Sequence, residues 1–127
     1  MKRILPVFLT MLLLLTGCGG TEVKNTYQQI TQEEAKRIMD TQEVIILDVR
    51  EQDEFDAGHI PGAILLSVGT ISADTAAVVI PEPDSVVLVY CRSGNRSKTA
   101  AATLAELGYS NIYEFGGINS WSYEVEI

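Results

Sequence analysis

From Thr31 onward, short apolar runs alternate with stretches whose apolar residues recur at helical spacing. Val44-Ile45-Ile46-Leu47 and Val86 to Tyr90 are unbroken and rich in β-branched residues, the pattern of strands buried on both faces of a parallel sheet. Ala63 to Leu66 and Ile112 to Phe115 read as two further strands. Thr31-Gln32-Glu33-Glu34 matches a capping box, with Thr31 as N-cap and Glu34 reaching back, and Ala35, Ile38 and Met39 form the apolar stripe of the helix that follows. Glu51 to Ala57 fits a short helix closed by Gly58. Gly69 to Ile80 is read as a helix ended by Pro81 and Pro83. The alanine-rich run Lys98 to Leu107 predicts a helix with Gly108 at its C′ position, and Gly116-Gly117 leads into a last helical segment around Trp121. Strands separated by helices imply βα units on a mostly parallel sheet, an α/β fold.

The first residues follow a different pattern. Lys2 and Arg3 precede an apolar stretch from Ile4 to Leu15, and small residues follow, which is the form of a secretory signal. The stretch is shorter than the roughly 20 residues a membrane-spanning helix needs. Its end, Leu15-Thr16-Gly17-Cys18, resembles the bacterial lipobox, in which cleavage before the cysteine leaves a lipid-modified first residue. The alternative is an ordinary signal peptide with an incidental cysteine. The expected organisation is therefore a lipoprotein signal peptide over 1–17, a lipidated Cys18 with a polar tether over 18–28, and one domain over 29–127. The chain is then exported and lipid-anchored to a bacterial membrane, with the domain outside the cytoplasm. Two-chain lipidation anchors stably where one chain is marginal.

Cleavage before Cys18 removes 17 of 127 residues, leaving 110, enough for one compact core, and takes the formal charge from -8 to -10 by removing Lys2 and Arg3. That charge argues against nucleic acid as a partner. With Cys18 lipidated, Cys91 is the one remaining thiol, so no internal disulfide is expected and the thiol stands out as reactive.

Cys91 sits where the Val86–Tyr90 strand meets the next helix, in Cys91-Arg92-Ser93-Gly94-Asn95-Arg96-Ser97. Free amides of a first helical turn and the positive end of the helix dipole favour an anion there, and both lower the pKa of a thiol. From Ser85 to Ala105 no acidic residue occurs in 21 positions, yet Arg92, Arg96 and Lys98 fall inside the window. Cations in a first helical turn oppose the dipole, so their clustering makes sense if an anion is held there. Gly94 suits a turn that needs positive φ, and Ser93, Asn95 and Ser97 can bond the backbone or a ligand. The single histidine and the lack of a second domain cysteine offer no usual zinc set, so no metal or cofactor is expected.

This loop, Asp48-Val49-Arg50-Glu51, His59-Ile60-Pro61-Gly62-Ala63 and Gly116-Gly117-Ile118 with Trp121 together resemble a single-domain rhodanese. The resemblance implies a mostly parallel five-stranded sheet flanked by helices on both faces. It also implies a sulfurtransferase in which Cys91 takes the outer sulfur of thiosulfate or a similar anionic donor as a persulfide and passes it to a thiol or cyanide. The amides of Arg92, Ser93, Gly94, Asn95, Arg96 and Ser97 would cradle that persulfide, with Arg92 or Arg96 attracting the donor. Related phosphatases and arsenate reductases resemble Cys-x5-Arg, commonly after a histidine. Here the spacing from Cys91 to Arg96 is Cys-x4-Arg and Tyr90 precedes it, which favours sulfur transfer. A module that binds a partner or carries sulfur without turnover is the alternative, and phosphate or arsenate chemistry ranks below both. His59 is expected to bond backbone or Asp48 in a buried turn, Asp48 and Arg50 to pair, and Phe115 and Trp121 to lie in the core.

Overall fold

The computed structural model describes residues 25–127. The signal segment, Cys18 and most of the tether lie outside the described residues. Five strands form one sheet in the order β1-β5-β4-β2-β3, with β1 Gln28–Gln29, β2 Ile45–Asp48, β3 Ile64–Leu65, β4 Val86–Cys91 and β5 Asn111–Gly117. Every pairing is parallel. The helices are α1 Gln32–Thr41, α2 Gln52–Ala57, α3 Ala73–Val79 and α4 Asn95–Glu106, with 3-10 turns at Val68–Thr70 and Ile118–Ser120. The expected α/β architecture is therefore present. The two edge strands are only two residues long, which limits exposed ladder.

The unbroken apolar runs are buried on both faces, as their composition requires. Along β4 the alternation of side chains sends Val87, Val89 and Cys91 to one face and Leu88 and Tyr90 to the other. On the first face α3 contributes Ala76, and α4 contributes Ala100, Ala101 and Leu104. The alanines let α4 lie close to the sheet while favouring helix strongly. On the second face α1 packs Ala35, Ile38 and Met39 with Ile46, Leu88, Phe115 and Trp121.

Some boundaries and caps differ from expectation. Gln28–Gln29 is a strand rather than the end of a tether: it pairs with Tyr113 and Glu114 of β5, and Tyr27 before it packs against the core. At α1 only half of the capping box forms, Thr31 Oγ1 accepting from the Glu34 amide at 3.0 Å, while the Glu34 carboxylate lies 3.7 Å from Arg37. The segment 69–80 splits into the 3-10 turn and α3, whose start is a Ser72/Thr75 capping box. α4 begins at Asn95, so the last residues of the cysteine loop already belong to its first turn.

All-parallel pairing gathers the C-terminal ends of β2, β4 and β5 on one rim, the usual place for a site in such sheets. A buried polar network stiffens that rim. Asp48 and Arg50, both buried, form an ion pair at 2.7 Å, and Tyr90 donates to Asp48 Oδ2 at 2.6 Å while accepting from the Ile60 amide at 3.0 Å. Arg50 also donates to the Gly58 carbonyl at 2.7 Å. His59 bonds backbone, its Nδ1 lying 2.9 Å from the Phe55 carbonyl, with Nε2 facing Glu126 rather than Asp48. Tyr90→Phe leaves the Ile60 amide and one Asp48 lone pair unsatisfied in the interior. Equilibrium urea unfolding should show a loss of about 1–3 kcal/mol, against no loss if the network is dispensable.

Candidate active site

The last residue of β4 points its sulfur at the start of α4. Cys91 is 1% exposed, so water cannot solvate a charge on Sγ and the protein must supply the donors. Three residues turn the chain from strand to helix. Gly94, at φ 105°, is the N-cap of α4 and donates its amide to Sγ at 3.0 Å. Any residue with a Cβ is strained in that conformation. The Arg92 carbonyl is turned out of the loop and accepts from the Asn119 amide at 3.1 Å. This outward turn depends on β5: a Cβ on Gly117 would stand 2.0 Å from the Arg92 oxygen. A register shift between Val89 and Cys91 sets Cys91 against Gly117. Gln32, in the first turn of α1, fastens the same stretch by donating to the carbonyls of Phe115 and Gly117 at 3.2 and 2.9 Å.

Burial works against the Cys91 thiolate, but hydrogen bonding from the Ser97 hydroxyl and the amides of Ser97, Gly94 and Ser93 outweighs it and draws the thiol pKa below its ordinary value. Of the residues expected from sequence, Gly94 and Ser97 are buried at the sulfur, whereas Ser93 and Asn95 are exposed on the loop. The cations are arranged differently from expectation. Arg96 turns to α2 and grips Glu54 with both ends of its guanidinium, at 2.8 and 2.9 Å. Its charge is thereby committed before any donor arrives. Arg92 and Lys98 are exposed, and among the described residues neither joins an ion pair. No metal-binding cluster of His, Cys, Asp or Glu occurs among the described residues.

Two acidic residues went unnoticed in the sequence. Glu54 answers Arg96 from 42 positions away. Glu114, 2% exposed, accepts from the fully buried Ser97 hydroxyl at 2.5 Å and from the Gly116 amide at 2.9 Å. A signal for Glu114 existed: it stands two residues after Ile112 in a strand, and so on the same inward face. A carboxylate at such a position calls for a partner.

A thiol under backbone amides at the carboxyl end of a central parallel strand narrows the possible families, and comparison with known proteins decides among them. Residues 31–124 match the rhodanese-like domain family. The chain belongs to that family. It is 33% identical over 96 residues to a thiosulfate sulfurtransferase GlpE of Coxiella burnetii, covering 75% of this chain and 87% of that one. It is 31% identical over 112 residues to a putative sulfur carrier protein YrkF of Bacillus subtilis, covering 87% of this chain and 59% of the relative. Among solved structures, a rhodanese with anions from E. coli superposes with a TM-score of 0.62 at 26% identity, covering 66% of this chain and 98% of the other.

Within this rhodanese-like domain two variants probe the frame. Gly117→Ala forces the Arg92 carbonyl aside and should cost roughly 1–3 kcal/mol in urea unfolding. It should also raise the thiol pKa, read from the pH dependence of Cys91 alkylation; unchanged alkylation would mean the loop does not depend on this close approach. The second variant concerns Glu54, whose pKa is held down at about 2 by Arg96. A depressed carboxyl pKa contributes stability above the ordinary value of 4.5 and loses it as pH falls towards about 2. Acid unfolding of Glu54→Gln should therefore lack that part of the wild-type decline.

Proposed function

We propose that this chain is a sulfurtransferase that carries sulfane sulfur on Cys91. The observation that carries the reading is a buried sulfur with the Gly94 amide at 3.0 Å, its pKa lowered by the Ser97 hydroxyl and loop amides. The Cys91 thiolate attacks the outer sulfur of thiosulfate. The sulfur–sulfur bond of the donor breaks, sulfite leaves with the bonding electrons, and Cys91 holds a persulfide whose terminal sulfur is anionic. A thiolate or cyanide then attacks that terminal sulfur, forms a persulfide or thiocyanate, and returns the thiolate of Cys91. The protein supplies a nucleophile with lowered pKa and a set of donors fixed in place before the charge arrives.

The commitment of Arg96 to Glu54 leaves Arg92 and Lys98 as the exposed cations near the loop mouth for an anionic donor. It also weighs against phosphate or arsenate chemistry, which needs an arginine free to wrap a tetrahedral oxyanion. Sulfur carriage without turnover is supported by the resemblance to the Bacillus subtilis putative sulfur carrier. The two readings share the persulfide and differ in its release. We further propose that Cys18 is lipidated and holds the domain at a membrane surface outside the cytoplasm.

Treating the full-length protein with thiosulfate should add one sulfur atom to Cys91 by mass spectrometry, and Cys91→Ser should abolish the gain. Excess cyanide should then strip the sulfur and yield thiocyanate over repeated cycles. A persulfide that forms but turns over negligibly would move the assignment to sulfur carriage, and no adduct from thiosulfate, polysulfide or a small persulfide would reject both. Mass analysis of the protein from its native membrane should also find a diacyl or triacyl group on Cys18, and an unmodified Cys18 would reject the anchor.

A further inference from the structure

The Ser97 hydroxyl has one proton and faces two side-chain acceptors, with the Gly116 carbonyl a longer third at 3.4 Å. Its oxygen lies 3.3 Å from Cys91 Sγ and 2.5 Å from Glu114 Oε2, and none of the three residues is more than 2% exposed. With the thiol protonated the network is complete: Cys91 donates to Ser97, and Ser97 donates to the Glu114 carboxylate. Glu114 also receives the Gly116 amide at 2.9 Å on Oε2 and Gln29 Nε2 at 3.2 Å on Oε1. Once Cys91 is ionised the same network fails, because a hydroxyl has one hydrogen to give and both the thiolate and the carboxylate need it. Two anions would also stand only two hydrogen bonds apart, with the Ser97 oxygen between them, and would repel each other.

We propose that Cys91, Ser97 and Glu114 form a proton relay in which Glu114 takes up the thiol proton through Ser97, so that the pair shares one proton while Cys91 is a nucleophile. The proton on Sγ passes to Ser97 Oγ as the Ser97 hydroxyl proton passes to Glu114 Oε2. No charge enters or leaves. Afterwards Ser97 donates to the thiolate and the Glu114 carboxyl donates to Ser97, so every buried donor and acceptor is again paired. Glu114 is a positioning residue in this scheme, acting on the sulfur only through Ser97. The role deepens the sulfurtransferase reading and rests on it: a dianionic donor approaching the site meets one negative charge instead of two. The other groups facing the pair are few. Arg96 on α4 is held by Glu54 of α2, Lys98 of α4 lines the same cleft as Glu114, and β1 and α1 present the neutral amides of Gln29 and Gln32. Tyr90, next to Cys91 in β4, points to the opposite face and is bonded to Asp48, and Tyr109, on the Cys91 face, donates its hydroxyl to the Ile80 carbonyl.

The test is the pH dependence of iodoacetamide alkylation at Cys91, followed on the full-length chain by mass spectrometry of the Cys91 peptide. A shared proton makes the rate rise in two steps, the first as the pair loses one proton and the second as it loses the other. Glu114→Gln should lose the lower step and titrate once. Ser97→Ala should do the same, and Ser97→Thr, which keeps the hydroxyl, should retain both steps. A single step in the wild-type protein overturns the relay whatever the variants do, and so does a lower step that survives in Glu114→Gln. The readout needs no sulfur donor, so the two readings fail separately. Persulfide formation with one titration step sinks the relay and spares sulfur transfer, whereas two steps reduced to one by Glu114→Gln, without persulfide from any donor, support the relay and sink sulfur transfer.

Discussion

A sulfur that must bear negative charge while shut away from water imposes the main constraint on this domain. The desolvation cost of a buried anion has to be offset by donors already in place, because a closed site has no solvent to reorganise. Strand alternation commits Cys91 to the α4 face of the sheet, and the chain must then turn so that amides, not carbonyls, meet the sulfur. Gly94 permits the turn, Asn119 holds the one carbonyl that would otherwise intrude, and the missing side chain at Gly117 leaves room for it. The remainder of the fold keeps these three points in register. β5 and the 3-10 turn after it bring Gly117 and Asn119 beside the end of β4, and α1 fastens β5 through Gln32.

The electrostatics follow from the same constraint. Side-chain cations near the loop look like the obvious means of holding an anion, yet Arg96 is spent on Glu54. That pair ties α2 to the first turn of α4 and so braces the loop from outside. The stabilisation of sulfur charge falls to backbone amides and one hydroxyl. These are neutral groups, and they hold an anion without demanding a counterion of their own. A neutral cradle also suits the proposed anionic intermediate in a strongly acidic chain: the relevant field is local, set by dipoles within hydrogen-bonding distance.

Much of this was legible in the amino-acid order, and what was not has physical reasons. The apolar runs at Val44–Leu47 and Val86–Tyr90 announce central strands because burial on both faces leaves little room for polar residues. Gln28–Gln29 announces nothing: an exposed two-residue edge strand exists only because β5 offers it a ladder. Cys91, Gly94 and Ser97 could be placed because strand, turn and helix start are contiguous. The acid-free window around Arg92, Arg96 and Lys98 misled for Arg96 because it is a one-dimensional observation. Glu54 and Glu114 enter from 42 and 17 positions away. The Asp48–Arg50 pair was expected of the motif that carries both residues, whereas its link to Tyr90 needed the pairing of β2 with β4.

The central claim is that this loop is shaped to hold an anionic sulfur bonded to Cys91, and a crystal structure of the protein treated with thiosulfate tests it most directly. The account predicts one extra sulfur covalently attached to Cys91 Sγ, within hydrogen-bonding distance of the loop amides, with Arg96 still on Glu54. An unmodified thiol beneath a bound tetrahedral oxyanion, with Arg96 swung from Glu54 to grip it, would contradict the account and point to oxyanion chemistry instead.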